Sequence, residues 1–237
     1  MDFTGRVAVI TGGTGGLGRA VTLGFLKAGA TVVTTYVVPA EQDRLQKEAA
    51  PYRARLACRN VDVTDEGGVT RFAEETIAQQ GRVDVLINIV GGYVGGKAVW
   101  ETDLATWNHM MTLNLTSAYL CAKAIVPHMI KRNRGWIVNV ASRAGLKGDA
   151  GAAAYAASKA GDLVLTQSLA EEVKPYRINV NAVLPSIIDT EANRRVMPGA
   201  DHAGWPQPEA IAKVILFLCS EDAEVIHGAS IPVYGWT

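Results

Sequence analysis

The sequence predicts an α/β protein folded as one doubly wound domain, with a parallel seven-stranded sheet covered by helices on both faces. Short apolar runs alternate with segments of helical periodicity along all 237 residues, as repeated strand–helix units require. The apolar runs are too hydrophobic to leave one face in water, which indicates a buried parallel sheet. No linker, repeat or low-complexity stretch interrupts the pattern, so residues 1–237 are expected to form a single domain.

The first strand is "RVAVIT" at 6–11, a β-branched run that ends at glycines. Six similar runs predict the other strands, at 31–36, 54–63, 83–92, 135–142, 177–185 and 229–234. Apolar residues spaced by three or four predict the helices, at 17–30, 40–50, 65–81, 102–132, 153–173 and 208–221. Pro127 is expected to break the fourth helix, and residues 186–207 are expected to be irregular.

The charge balance and the cysteines limit the possible partners. Lys+Arg and Asp+Glu both number 23, so the chain has no basic surface for nucleic acid or an anionic membrane. No apolar run reaches the length of a membrane span, and the opening "MDFTGRVAVITGG" lacks the apolar core of a signal peptide. Cys58, Cys121 and Cys219 lie far apart in apolar stretches, as reduced thiols do in a cytoplasmic protein. We expect a cytoplasmic protein that binds neither nucleic acid nor membrane.

A glycine-rich turn, "TGGTGGLG" at 11–18, follows the first strand and opens the first helix. Glycines let the backbone approach a pyrophosphate closely, and the helix N-terminus supplies N–H donors and positive potential. The spacing differs from GxGxxG, and glycines also end strands for steric reasons alone. The position of this turn at the first strand–helix junction favours dinucleotide binding.

Tyr155 and Lys159 are the large functional groups of an otherwise alanine- and glycine-rich stretch, "SRAGLKGDAGAAAYAASKAG" at 142–161. They stand four residues apart, so their side chains share one helix face. An adjacent ammonium favours the phenolate and is expected to lower the tyrosine pKa from its usual value of about 10. Ser142 ends the preceding strand, at the sheet edge where open α/β folds bind ligands.

Together these motifs resemble the short-chain dehydrogenase/reductase family, in particular its 3-oxoacyl-(acyl-carrier-protein) reductases, over essentially the whole chain. The family combines TGxxxGxG with Asn, Ser and YxxxK, and Ser142 precedes Tyr155 by the family's thirteen residues. Asn114 in "MTLNLTSAYL" matches the family's helix asparagine, and Asp62 in "NVDVTD" matches its adenine-side aspartate. The resemblance implies a Rossmann-type fold.

The resemblance also implies hydride transfer between a nicotinamide and a carbonyl or secondary alcohol. Tyr155 would act as general acid or base, Ser142 would hydrogen-bond the substrate oxygen, and Lys159 would depress the tyrosine pKa and hold the nicotinamide ribose. Asn114 would keep the helix backbone open to a water that relays protons. The family positions that contact the cofactor correspond to Gly12, Thr14, Gly16, Leu17, Gly18, Tyr36, Asp62, Val63, Asn88, Gly91, Tyr155, Lys159, Pro185, Ile188 and Thr190.

The cofactor is expected to be NAD or NADP, with a preference for NAD. The second strand ends in Tyr36-Val37, without the acidic residue of NAD-selective members, and the glycine turn has no Arg or Lys. A buried 2′-phosphate without a cation would be costly, which favours NAD. Hydroxyls of Thr35 or Tyr36 are an alternative partner for such a phosphate. The four histidines show no metal-ligand spacing, so no metal is expected.

Residues 186–207 occupy the position of the family's substrate loop, and 189–205 look similar to dihydropteridine reductases. Those enzymes lack the serine, whereas Ser142 is present here. Arg194 and Arg195 are expected to meet solvent, or else an anionic substrate. Trp205 and Met197 either close over a ligand as part of a mobile lid or pack beneath their own loop.

Two further alternatives stay open. A non-catalytic dinucleotide-binding redox sensor would use the same fold, although a sensor needs the glycine turn and not the set Asn114, Ser142, Tyr155 and Lys159. The helices at 102–131 and 153–173 carry small residues that permit close approach of a second chain. We therefore expect a homotetramer or a homodimer.

Overall fold

Seven strands lie parallel in one sheet in the computed structural model, which describes residues 1–237. Their order across the sheet is β3-β2-β1-β4-β5-β6-β7. Chain order reverses direction at β1, so the fold is doubly wound as predicted. The strands are β1 Val7–Thr11, β2 Thr31–Tyr36, β3 Leu56–Asn60, β4 Val85–Asn88, β5 Gly135–Val140, β6 Ile178–Pro185 and β7 Ser230–Val233.

Helices cover both faces of the sheet. They are α1 Gly16–Lys27, α2 Pro39–Glu48, α3 Glu66–Gln80, α4 Leu104–Met111, α5 Ser117–Arg132, α6 Ala153–Val173, α7 Glu191–Val196 and α8 Pro208–Leu218. Alternate residues of β1 show why both faces are apolar. Ala8 and Ile10 belong to the core shared with α1 and α8, whereas Val7 and Val9 belong to the core shared with α3, α5 and α6.

The helix predicted at 102–132 is interrupted, but Pro127 is not the cause. Residues Thr112–Thr116 form a π-helical turn between α4 and α5, while Pro127 lies inside α5 without ending it. The turn contains Asn114, whose side chain bonds to the backbone of Gly92 instead of facing solvent. A π turn of this kind is frequent at functional sites.

Several predicted boundaries also shift. The third and fourth strands are shorter than the predicted 54–63 and 83–92, because residues 50–55 form a 3-10 turn and the chain leaves the sheet after Asn88. The segment 186–207 is not wholly irregular, since α7 lies within it. The Thr190 hydroxyl caps that helix by accepting a hydrogen bond from the Asn193 N–H at 3.2 Å.

Asp84 joins the amino end of β4 to β1. Its carboxylate accepts hydrogen bonds from the Val7 N–H at 2.8 Å and from the Arg82 Nε at 2.7 Å, and it is 4% exposed. Charge-assisted bonds of this kind are stronger than neutral ones, and a buried group left unpaired is costly. The contact fixes the start of two central strands at the sheet edge opposite the carboxyl ends.

We expect Asp84→Asn to lower the free energy of unfolding by about 2 kcal/mol. The neutral amide cannot accept hydrogen bonds from both the Arg82 guanidinium and the Val7 N–H as the carboxylate does. Urea denaturation at pH 7 measures this change. An unfolding free energy equal to that of the wild type would mean that Asp84 does not stabilise the sheet.

Candidate active site

A cleft of about 1170 Å3 opens at the carboxyl edge of the sheet. Its walls come from the glycine turn, from the ends of β2, β3 and β4, and from the start of the 186–207 segment. Most predicted cofactor positions line it, namely Gly12, Thr14, Gly16, Leu17, Gly18, Tyr36, Asp62, Val63, Gly91, Ile188 and Thr190.

The glycine turn has the shape that a dinucleotide requires. Gly12 has a φ of +62°, which side chains rarely adopt. A Cβ at Gly18 would lie 2.0 Å from the Gly12 carbonyl oxygen, so α1 starts against the turn only because Gly18 is bare. The α1 N-terminus faces the cleft without a side-chain cap. These features fit the pyrophosphate of a nicotinamide dinucleotide.

Ion pairs surround the outer end of the cleft. Arg44 of α2 donates two hydrogen bonds to Glu191 of α7, at 2.8 and 3.0 Å, and this contact lowers the pKa of Glu191. Arg44 and Arg19 each also pair with Glu48 at 3.2 Å. Glu41 lies 3.4 Å from the Thr14 hydroxyl. The arginines of this region are therefore already paired with carboxylates.

Asp62 lies at the end of β3, where the sequence placed an adenine contact. Its Oδ1 accepts hydrogen bonds from the Thr64 hydroxyl at 2.7 Å and from the Thr64 N–H at 2.9 Å. These bonds lower the pKa of Asp62. The carboxylate is thus fixed in its ionised form beside the cleft.

Four predicted cofactor positions do not line the cleft: Asn88, Tyr155, Lys159 and Pro185. Two of them are held within the sheet. Asn88 is buried, and its amide donates to the Asn139 side chain of β5 at 2.9 Å. Pro185 is buried at the end of β6, paired with Val233. Both residues support the sheet behind the cleft wall, so the structure does not favour direct cofactor contact for either.

Asn114 ties the π turn to the loop after β4. Its Oδ1 accepts from the Gly92 N–H at 2.8 Å, and its Nδ2 donates to the Gly92 carbonyl and the Ser158 hydroxyl, both at 3.1 Å. A Cβ at Gly91 would lie 2.8 Å from the Asn114 Oδ1 and 3.3 Å from the Lys159 Nζ. Asn114, Gly91 and Lys159 are therefore immediate neighbours.

Tyr155 is held between Ser142 and Tyr93. Its ring meets the Tyr93 ring edge-to-face, with centroids 5.1 Å apart. Burial raises the pKa of Tyr155, the Ser142 hydroxyl opposes this, and Tyr93 adds to it. The expected lowering of this pKa by Lys159 is not found, since the only group that lowers it is the Ser142 hydroxyl.

Lys159 is buried at the inner end of the cleft. Its Nζ donates to the Val140 carbonyl at 2.7 Å, and Val140 itself lines the cleft. Burial lowers the pKa of Lys159, and the neighbouring Asp162 opposes that shift. Lys159 thus lies next to Asn114, while Tyr155, one helical turn before Lys159, lies beside Ser142.

The 186–207 segment is fastened by Asp189. This carboxylate binds Arg194 and Gln207, and these contacts hold its pKa at about 2. Arg194 is therefore paired with a carboxylate while its side chain stays 55% exposed, and Arg195 is 79% exposed with its nearest carboxylate, Glu191, at 3.9 Å. Trp205 is buried against His202, with ring centroids 4.5 Å apart, so it packs within its own segment.

Three residues of the site were not found by sequence reasoning. Tyr93 lies in a glycine-rich loop without periodicity, and Glu41 is one of several charged residues of α2 that the sequence does not distinguish from one another. Asp162 carried the one usable signal, because an acid three residues after Lys159 lies on a face of α6 that is otherwise apolar or small.

No helix of the chain is long and apolar enough to cross a membrane. No group of three or more His, Cys, Asp or Glu side chains is arranged to hold a metal ion. The three cysteines are free thiols.

Comparison with known proteins agrees with this geometry. The family model described as short chain dehydrogenase matches residues 6–201. The 3-oxoacyl-(acyl-carrier-protein) reductase of Thermotoga maritima is 33% identical, over 99% of this chain and 98% of its own. The solved structure of ElxO with NADP bound is 30% identical, with a TM-score of 0.91 over 97% of both chains. That of NAD+-bound xylitol dehydrogenase is 25% identical, with a TM-score of 0.92 over 99% of this chain and 100% of that one.

The doubly wound sheet, the glycine turn and the full-length matches all indicate the same family. The chain belongs to the short-chain dehydrogenase/reductase family and is an NAD(P)-dependent oxidoreductase.

Proposed function

We propose that this enzyme transfers a hydride between the nicotinamide and a carbonyl or secondary alcohol substrate, with Tyr155 as the general acid or base. The observation that carries the proposal is the grouping of Lys159 and Asn114 against Val140 and Gly91 of the cleft wall, with Tyr155 and Ser142 beside each other one helical turn away. A phenol, a hydroxyl and an ammonium together provide a proton, an oxyanion donor and a fixed positive charge.

The bound nicotinamide supplies the hydride chemistry, and the side chains of the chain position and polarise the substrate. Tyr155 donates its phenolic proton to the carbonyl oxygen during reduction and removes the alcohol proton during oxidation. Ser142 donates a hydrogen bond to the same oxygen as negative charge develops. The Lys159 ammonium favours the phenolate form, and Asn114 keeps the π turn open for proton exchange.

The direction of the Tyr155 pKa gives a pH dependence. Because burial raises this pKa, the phenol keeps its proton at neutral pH. Reduction needs that proton and is favoured at neutral pH, whereas oxidation needs the phenolate and speeds up as the pH rises.

The cofactor class that fits better is NAD. Arg19 and Arg44 are paired with Glu48 or Glu191, and Glu41 adds a negative charge beside Thr14. A 2′-phosphate entering this region would be repelled by Glu41, and the arginines Arg19 and Arg44 already have carboxylate partners. The 2′-hydroxyl of NAD carries no such cost.

A dihydropteridine reductase-like activity is the second candidate, and it rests on the resemblance of residues 189–205. Ser142 beside Tyr155 favours carbonyl chemistry over it. A redox sensor is less well supported, since it would not use the Lys159 and Asn114 contacts. We place the enzyme in the cytoplasm, where free Cys58, Cys121 and Cys219 would stay reduced.

We expect Tyr155→Phe to lower kcat by about a thousandfold, because only the transferable proton is removed. A panel of ketones and secondary alcohols assayed with NAD(H) and NADP(H) at 340 nm identifies the substrate for this test. Cofactor affinity, measured by fluorescence titration, should stay within a few fold of the wild type. Tyr176→Phe, beyond the end of α6, is the matched control. Near-normal kcat in Tyr155→Phe would exclude Tyr155 as the acid or base.

We expect NAD to give the higher kcat/KM, and Glu41→Gln to raise kcat/KM for NADP by about tenfold because it removes a repelling charge. The value for NAD should change little. Asp43→Asn, an exposed residue of the same helix, is the control. Equal effects of both substitutions would show that Glu41 does not select the cofactor.

We further propose that the enzyme is a homotetramer, or failing that a homodimer, associated through the surface of α4, α5 and α6. These helices expose large apolar side chains that a partner would cover, including Leu104, Tyr119 and Val164, which is 60% exposed. Zero net charge does not oppose association.

Sedimentation velocity at micromolar concentration should show a tetramer or dimer. Val164→Glu should shift the association equilibrium toward the monomer, because the substitution would bury a charge at the contact between chains. Val225→Glu, at an exposed apolar residue outside these helices, is the control. A stable wild-type monomer would contradict the assembly.

A further inference from the structure

A buried carboxylate lies directly behind Lys159. Asp162 follows it by three residues in α6 and is 2% exposed. The Asp162 Oδ2 lies 3.9 Å from the Lys159 Nζ, and the Oδ1 is buried with no hydrogen-bond partner. Neither the motifs of the family resemblance nor the mechanism proposed above uses Asp162.

The contrast with Asp84 indicates that Asp162 is not a structural carboxylate of the usual kind. Asp84 is similarly buried, but its oxygens accept hydrogen bonds from Val7 and Arg82. Asp162 has only the Lys159 ammonium near it. A buried carboxylate is unfavourable unless a cation or hydrogen bonds compensate it, so Asp162 and Lys159 depend on each other.

No other charged group faces Asp162. The strands β5 and β6 beneath α6 contain no ionisable residue. Tyr155 lies two turns away on the same helix. Among the other elements packed against α6, the buried ionisable residue is Cys121, and burial raises the pKa of its thiol to about 12, so it is uncharged. His128 is half-buried, and the remaining ionisable residues are at the surface: His109, Tyr119, Lys123, Lys131, Arg132, Arg143, Lys174 and Tyr176.

The electrostatics of the pair follow from its burial. Burial raises the pKa of Asp162 to about 6, with Lys159 opposing the shift. Burial lowers the pKa of Lys159, and Asp162 opposes that shift. Above about pH 6 the carboxylate is ionised, and its charge then favours the ammonium form of Lys159.

We propose that Asp162 is the internal counter-ion of Lys159, holding that side chain as an ammonium against the Val140 carbonyl. The proposal rests on the proposed function, in which the Lys159 ammonium favours the Tyr155 phenolate. Asp162 lies behind Lys159, away from the cleft-lining residues. It is therefore a positioning residue that acts on Tyr155 through Lys159.

Asp162→Asn keeps the size of the side chain and removes its charge. We expect the rising limb of kcat/KM for alcohol oxidation to move to higher pH by about one unit, because a neutral Lys159 no longer stabilises the phenolate. On that limb, oxidation at a fixed pH falls about tenfold. Asp162→Leu, which has no polar atoms, should move the limb the same way if the asparagine variant does not fold.

Asp84→Asn is the matched control, since it makes the same substitution at a similarly buried carboxylate on the opposite edge of the sheet. Asp84→Asn should lower the free energy of unfolding and leave the pH of the rising limb of kcat/KM unchanged. If the rising limb of the pH profile of kcat/KM for Asp162→Asn stays at the wild-type pH, or moves to lower pH, the proposal is overturned.

A second measurement needs neither substrate nor cofactor. A double-mutant cycle on the free energy of unfolding, built from Asp162→Asn and Lys159→Met, should show a favourable coupling at pH 7.5 that shrinks at pH 5, where Asp162 is protonated. Absence of coupling at pH 7.5 would overturn the counter-ion assignment. An inactive wild type with intact coupling would instead count against the proposed function alone.

Discussion

The hydrogen bond from the Lys159 ammonium to the Val140 carbonyl is the constraint on which the inner site depends. It joins the middle of α6 to the carboxyl end of β5, at a point where both the helix and the strand are buried. Because α6 is continuous from Ala153 to Val173, fixing Lys159 also fixes Tyr155 one turn earlier. The position of Ser142 follows as well, since it comes two residues after Val140.

The sheet beneath this contact is held by a buried chain of polar side chains. Asn88 of β4 donates to Asn139 of β5, and Asn139 donates to the Thr166 hydroxyl of α6. Buried polar groups that satisfy one another favour one register, because slipping a strand would leave them unpaired. The same strand ends that carry the site are thus held in place from behind. Asn88 takes part through its amide N–H, while its Oδ1 is buried without a hydrogen-bond partner.

The sequence predicts the sheet and the helix faces well, because each depends on local periodicity. The set of Asn114, Ser142, Tyr155 and Lys159 came instead from the family resemblance, and its catalytic role remains a prediction. Tyr155 and Lys159 share a face by helix geometry alone, and Ser142 follows a strand end. The π turn at Asn114 was not predictable in this way, since it depends on Gly92, which is distant in sequence. The pairing of Arg194 with Asp189 likewise required the folded loop, because nothing in the spacing distinguishes it from a solvent-exposed charge.

The ion pairs at the two ends of the cleft differ in their exposure to solvent. At the outer end, the pair of Arg44 and Glu191 is exposed on both sides, so salt screens it and its contribution to stability is small. At the inner end, Lys159 and Asp162 are shielded from solvent and from salt. The counter-ion proposed for Lys159 therefore acts where salt does not screen it, in contrast to the ion pairs at the outer end.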